Sequence, residues 1–117
     1  MNIQIFGTRK SFDTKKAERY FKERGIRFQM VDLKEKGLSR GELQSVLRAV
    51  GGLEALLDPK TKAQEQLTLI RYLSPEDREE KALEHPEVFR TPIVRNGQRA
   101  TVGYCPEVWK EWGGLKA

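Results

Sequence analysis

The residues best suited to chemistry lie in the loop Gly7-Thr8-Arg9-Lys10-Ser11, between an apolar stretch and the first helix-forming stretch. Ser11 lies where that helix is predicted to begin. The unpaired backbone N–H groups and the helix dipole at such a position favour an anion, whether a thiolate or an oxyanion. Serine is also a leading N-cap residue, so a cap is the simpler interpretation. The functional alternative is that the Ser11 hydroxyl and the nearby N–H groups bind an anion together with Arg9 and Lys10.

Cys105 is the only cysteine in the chain and the second candidate. It stands directly before Pro106, which favours the first turn of a helix, and a helix dipole there would lower the pKa of the thiol. The hypothesis is a site with one thiol that forms a mixed disulfide, and the alternative is an inert packing residue. A single cysteine excludes an intrachain disulfide and a Cys-x-x-Cys pair. It also leaves too few thiols for a cysteine-based zinc site, so we expect no metal.

His85 is the only histidine, and it precedes Pro86 at the end of a predicted helix. A serine nucleophile needs a base, and His85 is more simply explained as a helix-end residue. We therefore do not expect serine hydrolase chemistry at Ser11.

The chain is basic, with a formal net charge of +5 and a pI near 9.5. Such a balance suits nucleic acid, an anionic substrate or an acidic protein surface. Because Lys and Arg are interleaved with Glu and Asp along the predicted helices, we do not expect a nucleic-acid partner. A basic cluster around the first helix is either a solvated face or a docking surface. It consists of Arg9, Lys10, Lys15, Lys16 and Arg19.

The composition is that of a globular protein, with 117 residues, 38% hydrophobic and 33% charged, and a mean hydropathy of −0.66. This length suits one domain over residues 1–117. No apolar run approaches the roughly 20 residues needed to span a bilayer. The N-terminus lacks the pattern of a signal peptide. We therefore expect a cytoplasmic protein with no membrane partner.

The N-terminal part of the chain predicts a strand, a helix and a second strand. Apolar and polar residues alternate from Ile3, as in a strand with one buried face. Ser11 or Asp13 caps the following helix, and Gly25 suits its left-handed C-terminal end. A second strand follows over about residues 28–31. At this length the unit is a βαβ unit with parallel strands.

The middle of the chain, about residues 39–86, is predicted to be a run of helices. Ser39 and Glu42 form a capping box at the start of the first helix, which ends at Gly51. After a further helix, Ser74 caps the last one, since it is followed by a proline and two acids.

The C-terminal part predicts two strands and a helix. Residues 91–95 form a strand, Asn96-Gly97 is a strong signal for a type I′ hairpin turn, and residues 98–102 form the returning strand. Trp109 and Trp112 are three apart on the last helix and are expected in the core. The whole order predicts an α/β protein with a βαβ unit, a helical insertion, then ββα, and a mixed four-stranded sheet.

This order resembles the thioredoxin fold and, in more detail, the arsenate reductase (ArsC) and Spx family of that fold, over nearly the whole chain. The spacing of the His-Pro, Thr-Pro-Ile-Val and Val-Gly-Tyr segments is its most specific part. The stretches that carry the resemblance are Ile5-Phe6-Gly7, Lys15-Lys16-Ala17, the helical insertion from Ser39 to Leu83, Glu84-His85-Pro86, Arg90-Thr91-Pro92-Ile93-Val94 and Val102-Gly103-Tyr104. The resemblance implies that Pro92 is a cis-proline that faces the active-site loop.

The resemblance also implies that the family's redox centre is degenerate here. In arsenate reductases a cysteine at the start of the first helix attacks arsenate, and its position matches Ser11. An alcohol cannot form the sulfur–arsenic bond or pass two electrons on. In Spx-like members a Cys-x-x-Cys pair acts as a thiol switch, and its positions match Ser11 and Thr14, so this switch is absent too.

The arginines that hold the oxyanion in arsenate reductases are replaced at the matching positions. One of these positions corresponds to Asp58, or to Lys60 if the alignment is shifted by two residues. The arginine before the cis-proline falls at Thr91, with Arg90 displaced by one, and one step along an extended segment turns a side chain to the opposite face. The last falls at Cys105. Together these replacements argue against arsenate reduction by the family's mechanism.

We therefore expect a protein that keeps the scaffold and acts by binding a protein partner or a small anion, with no cofactor. The expected binding rim consists of Ser11, Arg9, Lys10, Arg90, Thr91, Pro92 and Tyr104, beside Cys105. One alternative is an oxidoreductase that uses Cys105 with glutathione or a protein thiol. Another is an Spx-like regulator that binds RNA polymerase, which rests on family analogy alone.

Overall fold

Four strands form one mixed sheet in the order β2-β1-β3-β4, in a computed structural model that describes residues 1–114. The strands are β1 (Ile3–Gly7), β2 (Phe28–Asp32), β3 (Ile93–Asn96) and β4 (Arg99–Val102). β1 and β2 are parallel, whereas β1 pairs antiparallel with β3 and β3 pairs antiparallel with β4. This topology confirms the predicted α/β class, the parallel βαβ unit and the mixed four-stranded sheet of a thioredoxin-like fold.

Five helices pack on the sheet. They are α1 (Phe12–Glu23), α2 (Arg40–Val50), α3 (Gln64–Tyr72), α4 (Pro75–Glu84) and α5 (Pro106–Gly114), with short 3-10 turns at Leu53–Leu56 and Pro86–Val88. Within residues 1–114 none of these helices has the length and apolar character that crossing a bilayer requires.

The sheet separates two apolar cores. Because successive strand residues point to opposite faces, Ile3 and Ile5 enter one core with α1 and α5, while Phe6 enters the other with α2, α3 and α4. Trp109 and Trp112 are buried in the first core, as predicted. The indole N–H of Trp109 donates to the Thr101 hydroxyl at 2.8 Å, so the polar atom of this buried ring has a hydrogen-bond partner.

The ends of α1 follow the local sequence signals. The Ser11 hydroxyl oxygen accepts a hydrogen bond from the Thr14 N–H at 3.1 Å, so Ser11 rather than Asp13 is the N-cap. At the other end Gly25 has φ +68°, and the Ile26 N–H donates to the Phe21 carbonyl at 2.9 Å. This is the predicted Schellman end, in which a glycine takes the left-handed position.

The caps of the later helices are partly as predicted. Ser39 and Glu42 form the complete capping box of α2. Ser74 occupies the N-cap of α4, but its hydroxyl makes no cap hydrogen bond to the backbone. Its hydroxyl donates to the Asp77 carboxylate at 3.1 Å.

The hairpin between β3 and β4 has a different turn from the predicted type I′. Asn96 pairs with Arg99, so the central residues of the turn are Gly97 and Gln98. Gly97 has φ +62°, and no residue other than glycine has a positive φ in the described chain. A positive φ at the first central residue alone is the signature of a type II′ turn. The strand register thus moves the glycine to the first central position.

The backbone of Gly7, the last residue of β1, is in close contact with the side chain of Thr14 in α1. A Cβ atom added at Gly7 would overlap Thr14 Oγ1 and would lie 2.6 Å from its Cγ2. Thr14 is fully buried. Only glycine therefore allows the strand to approach the helix this closely.

We predict that Gly7→Ala lowers the free energy of unfolding by about 1–3 kcal/mol, the usual cost of overpacking a core. Thr14→Ala removes most of the clashing atoms, so the double variant should lose less stability than the sum of the single variants. Denaturant unfolding measures each value. Gly41→Ala in α2 is the matched control, because nothing lies within 4 Å of its added Cβ. Strict additivity of the two substitutions would contradict this packing.

Candidate functional site

One open cleft of about 750 Å³ lies beside the N-terminus of α1. We call it the lysine cleft. Its lining residues come from the loop after β1, from the turn after β2, from residues 58–63 and from the segment before β3. They are Thr8, Lys10, Ser11, Lys34, Asp58, Lys60, Thr61, Lys62, Ala63, Pro86, Glu87, Phe89 and Thr91.

The parallel pairing of β1 and β2 places two of these segments together. Both strands end at the same edge of the sheet, and the Leu33 N–H donates to the Gly7 carbonyl at 2.9 Å just beyond them. Ligands of open α/β sheets commonly bind outside the carboxyl ends of the strands. Lys10 and Lys34 follow these two ends and both line the cleft.

Residues 58–63 are fastened to the segment before β3. The Asp58 N–H donates to the Val88 carbonyl at 2.8 Å, and the Thr61 hydroxyl donates to the Glu87 carbonyl at 2.7 Å. Asp58 Oδ1 accepts the Lys60 N–H at 2.9 Å, which closes a tight Asx turn. These bonds hold Lys60 and its neighbours against the cleft.

Ser11 caps α1 and also lines the cleft. Its hydroxyl oxygen uses a lone pair to accept from the Thr14 N–H, so its own proton remains able to donate. His85 does not line the cleft, and its Nδ1 lies 3.7 Å from Glu87 Oε1. The cleft therefore offers a serine donor without a histidine base.

The charge of the cleft comes from lysines, not arginines. Four lysines, Lys10, Lys34, Lys60 and Lys62, line the cleft together with two acids, Asp58 and Glu87. Within residues 1–114 none of the four lysines forms an ion pair. Both residues considered for the first matched arginine, Asp58 and Lys60, line the cleft, so a carboxylate and an ammonium group lie there together.

Thr91 lines the cleft, and the Thr91–Pro92 peptide bond is cis, as the resemblance implies. Arg90 does not line it. The Arg90 N–H donates to the Leu56 carbonyl at 2.7 Å, and its Nε donates to the Leu57 carbonyl at 3.1 Å. Arg90 thus supports the loop before residue 58, because one step along the extended segment turns its side chain away from Thr91.

Two other members of the expected rim lie outside the cleft lining. The Arg9 side chain is 85% exposed, and its Nε lies 3.8 Å from Asp32 Oδ2. The Tyr104 ring packs edge-on against Trp109, with 5.4 Å between the ring centroids. Of the expected rim, Lys10, Ser11 and Thr91 line the cleft together, whereas Arg9, Arg90, Pro92, Tyr104 and Cys105 do not line it.

Cys105 is half-buried against the core formed by α1 and α5. Its Sγ donates to the Val102 carbonyl at 3.3 Å. Burial raises the pKa of the Cys105 thiol; a hydrogen bond with Thr101 opposes this, and the nearby charge of Glu107 raises the pKa further. This direction is opposite to the lowering expected from a helix dipole, because burial disfavours the charged thiolate.

Lys34, Lys62 and Glu87 line the cleft but were not singled out from the sequence. Lys34 could have been found, because it follows the parallel partner of β1 and so lies at the same edge of the sheet. The positions of Lys62 and Glu87 depend on hydrogen bonds between segments far apart in the chain, which no local pattern predicts.

A model of the ArsC family matches residues 6–112. The chain is similar to the protein of Oceanobacillus iheyensis named global transcriptional regulator Spx 2, with 31% identity over 106 residues, 89% of this chain and 78% of that protein. The arsenate reductase of Vibrio cholerae has a TM-score of 0.81 at 24% identity, over 95% of this chain and 97% of its own. An ArsC family related protein of Bacteroides fragilis reaches 0.81 at 16% identity, over 95% and 97% of the two chains. At these identities the two structures show likeness of fold alone.

We predict that Cys105 reacts slowly at neutral pH. The rate of its alkylation by iodoacetamide should rise with a midpoint above about 8.5, the ordinary pKa of a cysteine thiol. The denatured protein gives the reference midpoint. Glu107→Gln should lower the midpoint of the folded protein, because it removes a negative charge that raises the pKa. Glu111→Gln, on the same helix, is the control. A folded midpoint below that of the denatured chain would contradict the burial of this thiol.

Proposed function

This chain belongs to the ArsC family, and we propose that it acts as a binding or regulatory module without redox chemistry. The observation that carries the proposal is the lysine cleft, which has Ser11 where the family resemblance places the nucleophilic cysteine. A serine hydroxyl donates a hydrogen bond but does not carry electrons to a thiol partner.

The cleft suits an anionic group that is held but not transformed. Lysines bind carboxylates and phosphates as point charges on flexible stems, without the planar, bidentate grip of arginine. Lys10 and Lys60 lie on different segments that line the same cleft as Ser11. An anion between them would gain charge attraction, a hydrogen bond from Ser11 and the favourable N-terminal end of α1.

An oxidoreductase that uses Cys105 is less well supported. The sulfur lies outside the lining of the cleft, and burial raises the pKa of its thiol, so the thiolate that would attack glutathione disulfide or a protein disulfide is scarce at neutral pH.

A second proposal is that the chain regulates transcription by binding RNA polymerase. It is supported by family analogy and by the name of the Oceanobacillus iheyensis relative, a global transcriptional regulator. With Ser11 and Thr14 at the positions of the thiol switch, such binding would not respond to disulfide formation there.

We predict that inorganic phosphate shifts the amide NMR signals of Lys10, Ser11 and Thr91. Lys60→Gln should weaken binding about two- to fivefold, the effect of one exposed charge pair. Asp58→Asn should strengthen binding, because it removes a repelling charge while its side-chain oxygen can still close the Asx turn. Arg48→Gln on α2 is the control, since this exposed residue lies outside the cleft. Unchanged signals around the cleft at high phosphate concentration would refute the anion site.

Redox activity is tested with the same proteins. We expect the wild type to reduce no arsenate with glutathione or thioredoxin as the electron source. Ser11→Cys should not restore the reaction, because the matched arginine positions remain substituted and lysines give no bidentate grip. Turnover that persists in Cys105→Ala would overturn the proposal of a redox-inactive module.

The regulatory proposal is tested with purified RNA polymerase from the source organism. The immobilised protein should retain the polymerase, and the amount retained should be the same under oxidising and reducing conditions. Cys105→Ala should behave like the wild type. Failure to retain the polymerase, together with phosphate binding at the cleft, would separate the two proposals and leave the anion-binding module.

A further inference from the structure

The outward face of α1 is strongly basic and begins beside the lysine cleft. On its inward face the helix buries Thr14, Ala17, Tyr20 and Phe21. The helix also carries two half-exposed acids, Asp13 and Glu18. Its exposed residues carry four cations, one acid and one phenyl ring. They are Phe12, Lys15, Lys16, Arg19, Lys22 and Glu23, and we call them the α1 face.

The cations of the α1 face form no ion pair in the part of the chain that the structure describes. Lys15 and Arg19 are four residues apart, so two like charges lie one turn from each other, an arrangement that disfavours a helix.

Phe12 is the residue of the α1 face that is adjacent in sequence to the lining of the cleft. It directly follows Ser11, and 80% of its surface is exposed. A phenyl ring in water at the start of a helix adds nothing to the core, but it offers an apolar contact to a partner. Nearby, Lys16 Nζ lies 5.6 Å from the ring centroid of Tyr104, which is 40% exposed and adds a second aromatic surface.

We propose that the lysine cleft and the α1 face together form one docking surface for an acidic polypeptide segment that places an apolar side chain on Phe12. This inference rests on the proposed anion-binding function and names its ligand class. The carboxylates of the segment meet lysines in the cleft and along α1, a helix about 18 Å long. The charges steer the encounter, and the contact with Phe12 selects partners with a correctly placed apolar residue.

The other anionic ligands fit this surface less well. A small oxyanion fills only part of a cleft of about 750 Å³ and does not reach α1. Asp58 and Glu87 would repel the phosphate backbone of a nucleic acid. A polypeptide also presents backbone N–H groups, from which these carboxylates can accept hydrogen bonds. A membrane surface favours several apolar side chains on a basic helix, and Phe12 is the one large apolar side chain exposed on α1.

The test uses a fluorescent peptide in which glutamates flank a single leucine, with anisotropy as the measure of binding. The double variant Lys15→Glu/Arg19→Glu should weaken binding at least about tenfold, since like charges facing each other across an interface are strongly unfavourable. Phe12→Ala should weaken the leucine peptide but leave a peptide with alanine in its place unchanged. Arg48→Glu on α2 is the control and should bind like the wild type.

The phosphate titration separates this inference from the proposed function. The α1 variants should still bind phosphate at the cleft, whereas Lys60→Gln should weaken both phosphate and peptide. Added salt should weaken the peptide complex. Equal affinity of the wild type and Lys15→Glu/Arg19→Glu would overturn the inference, and so would equal binding of a peptide with glutamines in place of the glutamates. Tighter binding of single-stranded DNA or of anionic vesicles would overturn it in favour of those ligands.

Discussion

The close contact between the Gly7 backbone and the buried Thr14 side chain sets the geometry on which the site depends. It brings the end of β1 against the first turn of α1, so the four residues between them must form a tight loop. That loop presents Lys10 and Ser11 at the edge of the sheet where β2 also ends. A larger residue at position 7 would push the helix away from the strand and move the cap, the cleft and the α1 face together.

Where the family resemblance implies a thiolate and arginines, the cleft of this chain has an alcohol and lysines. These replacements change the chemistry that the site can perform more than the kind of ligand that it attracts. Lysines keep the positive charge but lack the rigid, planar group with which an arginine holds a tetrahedral oxyanion for attack. Asp58 and Glu87 place negative charge among these lysines. The cleft therefore suits a ligand whose charges are spaced apart better than one compact anion.

Local chemistry made much of the fold predictable from the sequence. The Ser39 capping box and the Gly25 helix end depend on residues close together in the chain, and both are present. The cis-proline is also present, but it was implied by the family resemblance and not by local chemistry. The type of the hairpin turn was predicted wrongly, because the strand register decides which two residues are central in the turn. The raised pKa of Cys105 could not be predicted, because burial against α1 and α5 is a tertiary effect that no local pattern reveals.

The position of Ser11 shows how the structural and the functional interpretation of one residue can both hold. As an N-cap it needs only a lone pair, which accepts the Thr14 N–H. Its proton is not used by that bond and can donate to a ligand in the cleft. Because capping also fixes the hydroxyl in place, an incoming carboxylate meets an oriented donor at low entropic cost. The hydroxyl that stands where the resemblance implies a thiol therefore suits the anion site that we propose, and the proposed docking surface extends that site along α1.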